Sequence, residues 1–404
     1  MNSWFHHRID AFPLGSQVFL DFCGVDTVAL FLRIVVVVLM FSAHAFAQVP
    51  GPSEAQALER NGKLAEAATA WRSVTQRDPR NAAAWASLGV VLAKLQQYPE
   101  ADAAYRKAIA LDPKLPAVQL NLGLAEFKQG KLEAAIEPLY LALAADPQNM
   151  QARTLLGLSY YGVRRFKEAN EQLAAAVKSD PGNAELHGVL AQSCLSAKNY
   201  TCALDEFTWV SQQHPDSGAA HMLTGEALDG LGRTPEAITE FEIAAQADPH
   251  APNVQFGLGY LYWKMRQYDE AARAFEADLA SDPVNAQALA YLGDIELKRS
   301  EQEKALDLLQ RSLRLRDDLQ IAHLDVGVIF TEQKHYQEAL AALLRAQKLD
   351  ERQPEVHYRL GRLYQAMGNV DAAKEEFAKV QQLHQREEES VADRMSGQKS
   401  SPRP

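Results

Sequence analysis

Four histidines recur at a fixed spacing and are the first residues in the sequence whose type and pattern could perform chemistry. His187 and His221 are 34 residues apart, and His323 and His357 repeat that spacing. Imidazoles can bind transition metals or transfer protons near neutral pH. Equivalent positions on adjacent helices lie roughly one helix diameter, about 10 Å, apart, which is too far for two side chains to share a metal. We therefore interpret these histidines as partly buried rings that fill a structural position of a repeat.

No other pattern in the sequence is typical of catalysis. Cys-x-x-Cys, His-Glu-x-x-His, a glycine-rich phosphate loop and Gly-x-Ser-x-Gly are all missing. The formal net charge is -11 and there is no lysine and arginine run, which argues against a nucleic-acid partner. We predict a protein that is not an enzyme and has no cofactor or metal.

The elements that carry these residues follow a repeat of 34 residues. If Ala82 is position 1, position 20 is alanine in all ten repeats, and position 8 is glycine in eight of them. Position 24 is always large and apolar, as in Trp71 and Tyr105. The repeats are 48–81, 82–115, 116–149, 150–183, 184–217, 218–251, 252–285, 286–319, 320–353 and 354–387.

Each recurring residue type has a physical reason. Apolar residues at positions 4, 7, 8 and 11, as in Trp85, Leu88 and Leu92, follow the spacing of one helical face. The small residues at positions 8 and 20 let two antiparallel helices approach closely, and the large residue at position 24 fills the space beside them. Asp-Pro pairs such as Asp112-Pro113 end the second helix, because proline disfavours helical geometry in the residue before it. The pattern predicts ten helix pairs.

This pattern resembles the tetratricopeptide repeat, a 34-residue helix-turn-helix motif with the same preferences at these positions. The resemblance covers residues 48–387. It implies an all-α fold, a right-handed superhelical solenoid of antiparallel helix pairs, in which the first helix of each pair lines a concave groove. It also implies a role in binding other proteins.

Apolar residues on first helices are the candidates for binding a partner in that groove. Phe256, Tyr260 and Trp263 follow the spacing i, i+4, i+7 in repeat 7. Similar sets occur in repeats 3 and 4; they are Leu120, Leu124, Phe127, Leu158 and Tyr161. A helix that is apolar on two sides is either buried on both or offers one side to a partner. Packing between successive first helices is therefore an equal alternative to recognition.

We predict a non-catalytic protein-protein interaction scaffold that binds a peptide segment of a partner. An alternative is an envelope protein that binds a glycan or another ligand, with the same aromatic rings as stacking platforms. A further alternative is a cytosolic or membrane-tethered adaptor.

The amino-terminal segment 1–47 resembles a secretory leader. An apolar run from Val28 to Phe41 is interrupted by Arg33, and Ala45 to Ala47 form a small-x-small cleavage site before Gln48. We expect export, with the bacterial periplasm as the compartment. Retention of the segment as an inner-membrane anchor, and a true start near Val28 or Leu30, are the alternatives. At the other end, the polar residues 388–404 predict a disordered tail.

Cys194 and Cys202 are the two cysteines that remain after such a cleavage. They occupy positions 11 and 19 of repeat 5, on opposite sides of its predicted turn. Antiparallel helices bring such positions together, so we predict a disulfide in an oxidising compartment. Because position 19 is often glutamate in other repeats, the alternative is that Cys202 points to solvent.

Overall fold

The structure, a computed structural model, describes residues 50–115 and 117–396. The predicted leader 1–47 and residues 397–404 of the predicted tail lie outside these ranges. Within them the chain forms twenty helices and no strand, which confirms the predicted all-α fold. The helices are α1 (Pro52–Arg60), α2 (Leu64–Arg77), α3 (Ala82–Lys94), α4 (Tyr98–Leu111), α5 (Val118–Lys128), α6 (Leu132–Ala145), α7 (Met150–Gly162), α8 (Phe166–Ser179), α9 (Ala184–Ser196), α10 (Tyr200–Gln213), α11 (Gly218–Gly230), α12 (Thr234–Ala247), α13 (Val254–Lys264), α14 (Tyr268–Ser281), α15 (Ala286–Lys298), α16 (Gln302–Leu315), α17 (Gln320–Glu332), α18 (Tyr336–Leu349), α19 (Pro354–Ala366) and α20 (Val370–Ser396).

Each 34-residue repeat holds one pair of these helices, an odd-numbered first helix and an even-numbered second helix. The chain divides into two compact bodies, Met1–Leu115 and Pro116–Pro404. The described part of the former contains α1 to α4, and that of the latter contains α5 to α20. In both bodies the two helices of a pair pack against each other, and each pair packs against its neighbour within the same body.

Close packing within a pair depends on the glycine at position 8 of the first helix. In all eight repeats with this glycine, a Cβ atom there would lie 2.5 to 2.9 Å from the position 24 side chain. These pairs are Gly89 with Tyr105, Gly123 with Leu139, Gly157 with Leu173, Gly225 with Phe241, Gly259 with Phe275, Gly293 with Leu309, Gly327 with Leu343 and Gly361 with Phe377. Distances below 3.0 Å are not compatible with real Cβ atoms, so the glycine is required by the close approach of the second helix.

The turn between the two helices has the same backbone geometry in every repeat. Position 15 has a positive φ, from +59° to +79°, in all ten. This position is glycine in only four repeats. The other six place a larger residue in the left-handed region; they are Gln96, Arg164, Lys198, Arg266, Ser300 and Lys334. L-residues pay a steric cost there, so the fold imposes this turn against local preference.

The start of the first helix depends on the residue at position 34 of the preceding repeat. In five repeats its side chain accepts a hydrogen bond from the backbone N–H three residues later; these caps are Asn81, Asn149, Asn183, Ser217 and Asn285. Before repeats 3 and 7 the position is Leu115 or Ala251, followed by proline. There the first helix begins two residues later, after Ala117 or Asn253 in the left-handed conformation.

The carboxyl-terminal end differs from the prediction. We expected a disordered tail from residue 388, but α20 continues to Ser396. The residues 384–396 contain no proline or glycine that would stop a helix before Gly397, so the helix continues beyond the last repeat. Among the described residues, no helix combines the length and the apolar character that crossing a membrane requires.

Candidate functional site

Four aromatic side chains form a cluster on the surface made by the first helices of repeats 7 and 8. Phe256, Tyr260 and Trp263 lie on α13, and Tyr291 lies on α15. The ring of Tyr291 is 4.9 Å from that of Trp263, 5.6 Å from that of Tyr260 and 6.2 Å from that of Phe256. Tyr260 and Trp263 stack at 6.0 Å. We call these four residues the aromatic cluster, and the surface of successive first helices the first-helix face.

The aromatic cluster is anchored in the core beneath it. Tyr291 stacks on the fully buried Phe275 of α14, with ring centres 5.6 Å apart and planes 7° from parallel. Phe256 contacts the same ring at 5.8 Å. Burial raises the pKa of Tyr291 to about 12. All four members of the cluster are nevertheless only half-buried. The rings are therefore held in place and still present part of their surface to solvent.

The polar edge of the cluster is formed by Asp294 of α15. The indole Nε1–H of Trp263 donates to Oδ2 of Asp294 at 2.6 Å. Lys298 forms an ion pair with Oδ1 of the same carboxylate. Asp294 is only 4% exposed, so these two donors compensate a charge that has lost most of its water. The bond also fixes the orientation of the Trp263 ring.

A second buried carboxyl group, Asp325 of α17, lies next to Asp294. Burial raises the pKa of Asp325 well above its usual range, and the negative charge of Asp294 raises it further. The cations Lys298 and Arg359 oppose this shift without overcoming it. A hydrogen bond joins the two carboxyl groups, so a protonated Asp325 donates to Asp294. Oδ2 of Asp325 has no hydrogen-bond partner among the described residues.

Phe256, Tyr260 and Trp263 pack against the first helix of the next repeat through Tyr291, and they remain partly exposed. Sequence reasoning missed Tyr291 and Asp294, because it searched for patterns within one helix. A comparison of position 6 across repeats would have shown one aromatic residue, Tyr291, directly after the repeat with three aromatic groove residues.

The candidates in repeats 3 and 4 form a different surface. Leu120, Phe127, Leu158 and Tyr161 are half-buried and pack against the core of repeats 3 to 6. Leu124 is also half-buried. Tyr161 donates its hydroxyl to Oε1 of Gln192 at 2.9 Å, from position 12 of one repeat to position 9 of the next. Trp263 and Asp294 have the same relationship, but the described part of repeats 3 and 4 has no aromatic cluster like that of repeats 7 and 8.

The four histidines lie at the junction between repeats. Nε2 of each ring faces the carbonyl oxygen six residues earlier, at 2.8 to 3.1 Å. The Trp85 indole makes the same contact with Pro79. Three rings also pair through Nδ1 with a glutamate of the second helix; the pairs are His187 with Glu206, His221 with Glu240 and His357 with Glu376. These contacts connect a helix pair to the preceding turn.

The pKa of one of these glutamates, Glu376, reflects its pairing with a histidine. Burial acts to raise the pKa of Glu376, but its hydrogen bonds to Lys379 and His357 together lower the pKa below its usual value.

In the described ranges, no group of three or more His, Cys, Asp or Glu side chains is placed to hold a metal ion.

Cys194 and Cys202 lie across the turn of repeat 5, with Cα atoms 5.8 Å apart and their sulfur atoms joined in a disulfide. Cys194 is completely buried beside Ala191, which replaces the usual position 8 glycine. The bond therefore links α9 to α10 in a repeat that lacks the usual glycine contact.

Several solved structures are similar to this chain. A chain of the APC/C hetero-tetramer Cut9-Hcn1 is 14% identical over 82% of this chain and 79% of that chain, with a TM-score of 0.49. The carboxyl-terminal part of a TPR repeat-containing protein from Cytophaga hutchinsonii is 19% identical over 59% and 98%, with a TM-score of 0.45. YrrB, described as a TPR protein with an unusual peptide-binding site, is 22% identical over 44% and 91%, with a TM-score of 0.36.

A comparison with curated proteins gives no match. Family models give many. One model described as tetratricopeptide repeat matches residues 53–116, 94–149, 200–252 and 256–320, which is more than half of the chain. Further models with the descriptions tetratricopeptide repeat and TPR repeat match 126–193, 327–368 and 354–384. Together with the helix pairs and their glycine contacts, these matches show that the chain belongs to the tetratricopeptide repeat family.

Proposed function

We propose that this protein is a non-catalytic scaffold of the cell envelope that binds a peptide segment of a partner protein on the first-helix face. Membership of the tetratricopeptide repeat family supports a role in protein-protein interaction. The observation that carries the finer proposal is the aromatic cluster, in which Tyr260 and Trp263 pack against Tyr291 and remain partly exposed to solvent.

The chemistry of the cluster suits a peptide ligand. Tyrosine and tryptophan are frequent anchors of protein interfaces, because they offer large contact areas and lose little conformational entropy. Here the hydrogen bond to Asp294 already fixes the orientation of the Trp263 ring, so this side chain loses little conformational entropy when a ligand binds. Tyr260 and Phe256 extend the apolar surface along α13 over two helical turns, a length that fits a short helical or extended segment.

The envelope location is supported by two features. The sequence of residues 28–47 resembles a secretory leader, and disulfides such as Cys194–Cys202 persist in oxidising compartments. Sequencing the amino terminus of the protein isolated from its own cells tests the location. We expect a start at about Gln48, whereas an intact leader would place the protein on the membrane or inside the cell.

The binding site is tested by replacing Tyr260 with alanine. The Tyr260 hydroxyl has no hydrogen bond among the described residues, so the variant loses ring surface without leaving a buried group unpaired. The matched control is Tyr140→Ala, which removes a tyrosine that is 58% exposed on the second helix α6. We expect Tyr260→Ala to weaken the binding of a partner identified by crosslinking by about tenfold or more, and Tyr140→Ala to leave it unchanged.

Equal affinity of the wild-type protein and a folded Tyr260→Ala variant for every partner would contradict the proposed site. Far-UV circular dichroism establishes that the variant is folded. Retention on a panel of cell-wall glycans, in the absence of any protein and with dependence on Tyr260, would contradict a peptide ligand in favour of a glycan.

A further inference from the structure

Several carboxylates on the first-helix face of repeats 6 to 9 are neutralised within the chain. Asp229 of α11 accepts a hydrogen bond from Nζ of Lys264 at 2.6 Å and another from Oγ1 of Thr234 at 2.8 Å. Asp294 is paired with Lys298 and with the Trp263 indole, and burial beside Asp294 raises the pKa of Asp325, which favours its neutral form. None of these three groups needs a charge from a ligand.

Glu226, at position 9 of repeat 6, differs from them. Its side chain is exposed to solvent, and its carboxylate makes no hydrogen bond or ion pair with the described residues. Nearby protein surface nevertheless removes part of its water, and this desolvation raises the pKa of the Glu226 carboxyl without any cation to oppose it. A carboxylate that is partly desolvated and unpaired gains free energy when a cation arrives.

The position of Glu226 relative to the aromatic cluster follows from the contact between α11 and α13. Asp229 on α11 and Lys264 on α13 are bonded, so these helices are neighbours on the face. Glu226 is three residues before Asp229, and Tyr260 is four residues before Lys264. Residues three and four apart lie on the same side of a helix, one turn away. Glu226 and Tyr260 therefore lie on the same face of neighbouring first helices, each about one turn before the ion pair.

We propose that the bound segment places a lysine or arginine side chain between the Glu226 carboxylate and the ring of Tyr260. This inference rests on the peptide-binding function proposed above and names the chemistry of the partner. The carboxylate supplies a charge-assisted hydrogen bond, and the tyrosine ring attracts the cation through its π face. The aliphatic stem of the lysine or arginine packs along the apolar surface that leads to Trp263.

An organic cation fits this place better than a metal ion. A metal requires several ligands at once, and the described residues contain no cluster of three or more His, Cys, Asp or Glu side chains suited to it. One carboxylate beside aromatic rings matches a single ammonium or guanidinium group.

The experiment uses random linear peptides displayed on phage, selected in parallel against the full wild-type chain, Glu226→Gln and Glu276→Gln. The binding of each selected peptide to Tyr260→Ala is also measured, to show whether the peptide depends on the aromatic cluster. Glu276 is exposed on the second helix α14, so its substitution removes the same charge from a different surface. One peptide selected by the wild-type chain is then synthesised with norleucine in place of lysine, or citrulline in place of arginine. Its affinity for each chain is measured by calorimetry.

We expect peptides selected by the wild-type chain and by Glu276→Gln to share a basic residue at one fixed place. We expect the uncharged analogue to bind these two chains about tenfold more weakly than the parent peptide, and to bind Glu226→Gln as well as the parent does. Peptides that depend on Tyr260 but share no basic residue, or that lose no affinity in Glu226→Gln, would overturn the cation assignment alone. Failure to select any peptide that depends on Tyr260 would overturn the peptide-binding function and this inference with it.

Discussion

Trp263 of α13 donates its indole N–H to Asp294 of α15, and the donor and acceptor atoms are 2.6 Å apart. This bond joins two successive repeats through a carboxylate that is almost completely buried. Trp263→Phe keeps an aromatic ring but removes the donor. We expect it to lower the free energy of unfolding by about 1–3 kcal/mol, because part of the Asp294 charge is then left unpaired. Urea unfolding followed by circular dichroism measures the change.

Trp209→Phe is the control for the loss of indole area. Trp209 stacks on His187 with ring centres 3.8 Å apart, and its N–H makes no hydrogen bond within the described ranges. We expect a smaller loss of stability than in Trp263→Phe. An equal loss in both variants would show that ring area, and not the bond to Asp294, determines the effect.

Replacing glycine with alanine should change the stability of the protein in opposite directions at two glycines of first helices, one at position 8 and one at position 5. A Cβ atom at Gly259 would lie 2.8 Å from the Phe275 ring, so Gly259→Ala should destabilise the protein by about 1–3 kcal/mol through overpacking. Gly188 lies in α9 with no atom within 4 Å of its Cβ direction. Gly188→Ala should therefore stabilise the protein by up to about 1 kcal/mol, the difference in helix propensity. Thermal unfolding of both variants measures the two effects, and changes of the same sign would refute this account of the glycine.

The left-handed turn offers a stabilising substitution. Arg266 has a φ of +59°, and its side chain makes no ion pair among the described residues. Arg266→Gly should raise the free energy of unfolding by about 1 kcal/mol, because glycine adopts this conformation without steric cost. The reverse change, Gly232→Ala, introduces a Cβ at a φ of +75° and should cost a similar amount. Urea unfolding of both variants is the measurement. Destabilisation by Arg266→Gly would mean that Arg266 has a stabilising contact that outweighs the turn.

Asp325 should make stability depend on pH. The folded chain holds the Asp325 proton above pH 4, where an aspartic acid of the unfolded chain, with a pKa of about 3.9, has lost it. The folded state then binds more protons, so stability falls as the pH rises from about 4 toward the folded pKa. Asp325→Asn cannot ionise, and its amide can still donate to Asp294. We expect the free energy of unfolding of the variant, relative to that of the wild-type protein, to increase by up to about 1.4 kcal/mol for each pH unit over this range.

Urea unfolding of both proteins between pH 4 and pH 8 tests this expectation. Asp371→Asn is the control, because the Asp371 side chain is 95% exposed. A stability difference between Asp325→Asn and the wild-type protein that is constant with pH would show that Asp325 is ionised in the folded chain.

The repeat positions explain why the fold was predictable and the site only partly so. Contacts within a pair recur in every repeat, so Gly89 and Tyr105 could be paired from their positions alone. The positive φ at position 15 was not predicted, because six of the ten residues there are not glycine. Their side-chain types do not indicate the left-handed backbone conformation. Tyr291 and Asp294 contact Phe256 and Trp263 from the next repeat. Such a contact depends on how neighbouring pairs stack, which the pattern within one helix does not contain.

The central claim is that a peptide segment of a partner protein binds over the aromatic cluster. Its most direct test places a photo-crosslinking amino acid at Tyr260 of a tagged full-length chain in its own cells, with the same amino acid at Tyr140 as the reference. After irradiation, mass spectrometry identifies the crosslinked peptides. We expect one segment of an envelope protein to be linked at position 260 and absent at position 140. Crosslinks at position 260 that are no more frequent or specific than those at position 140 would contradict the claim.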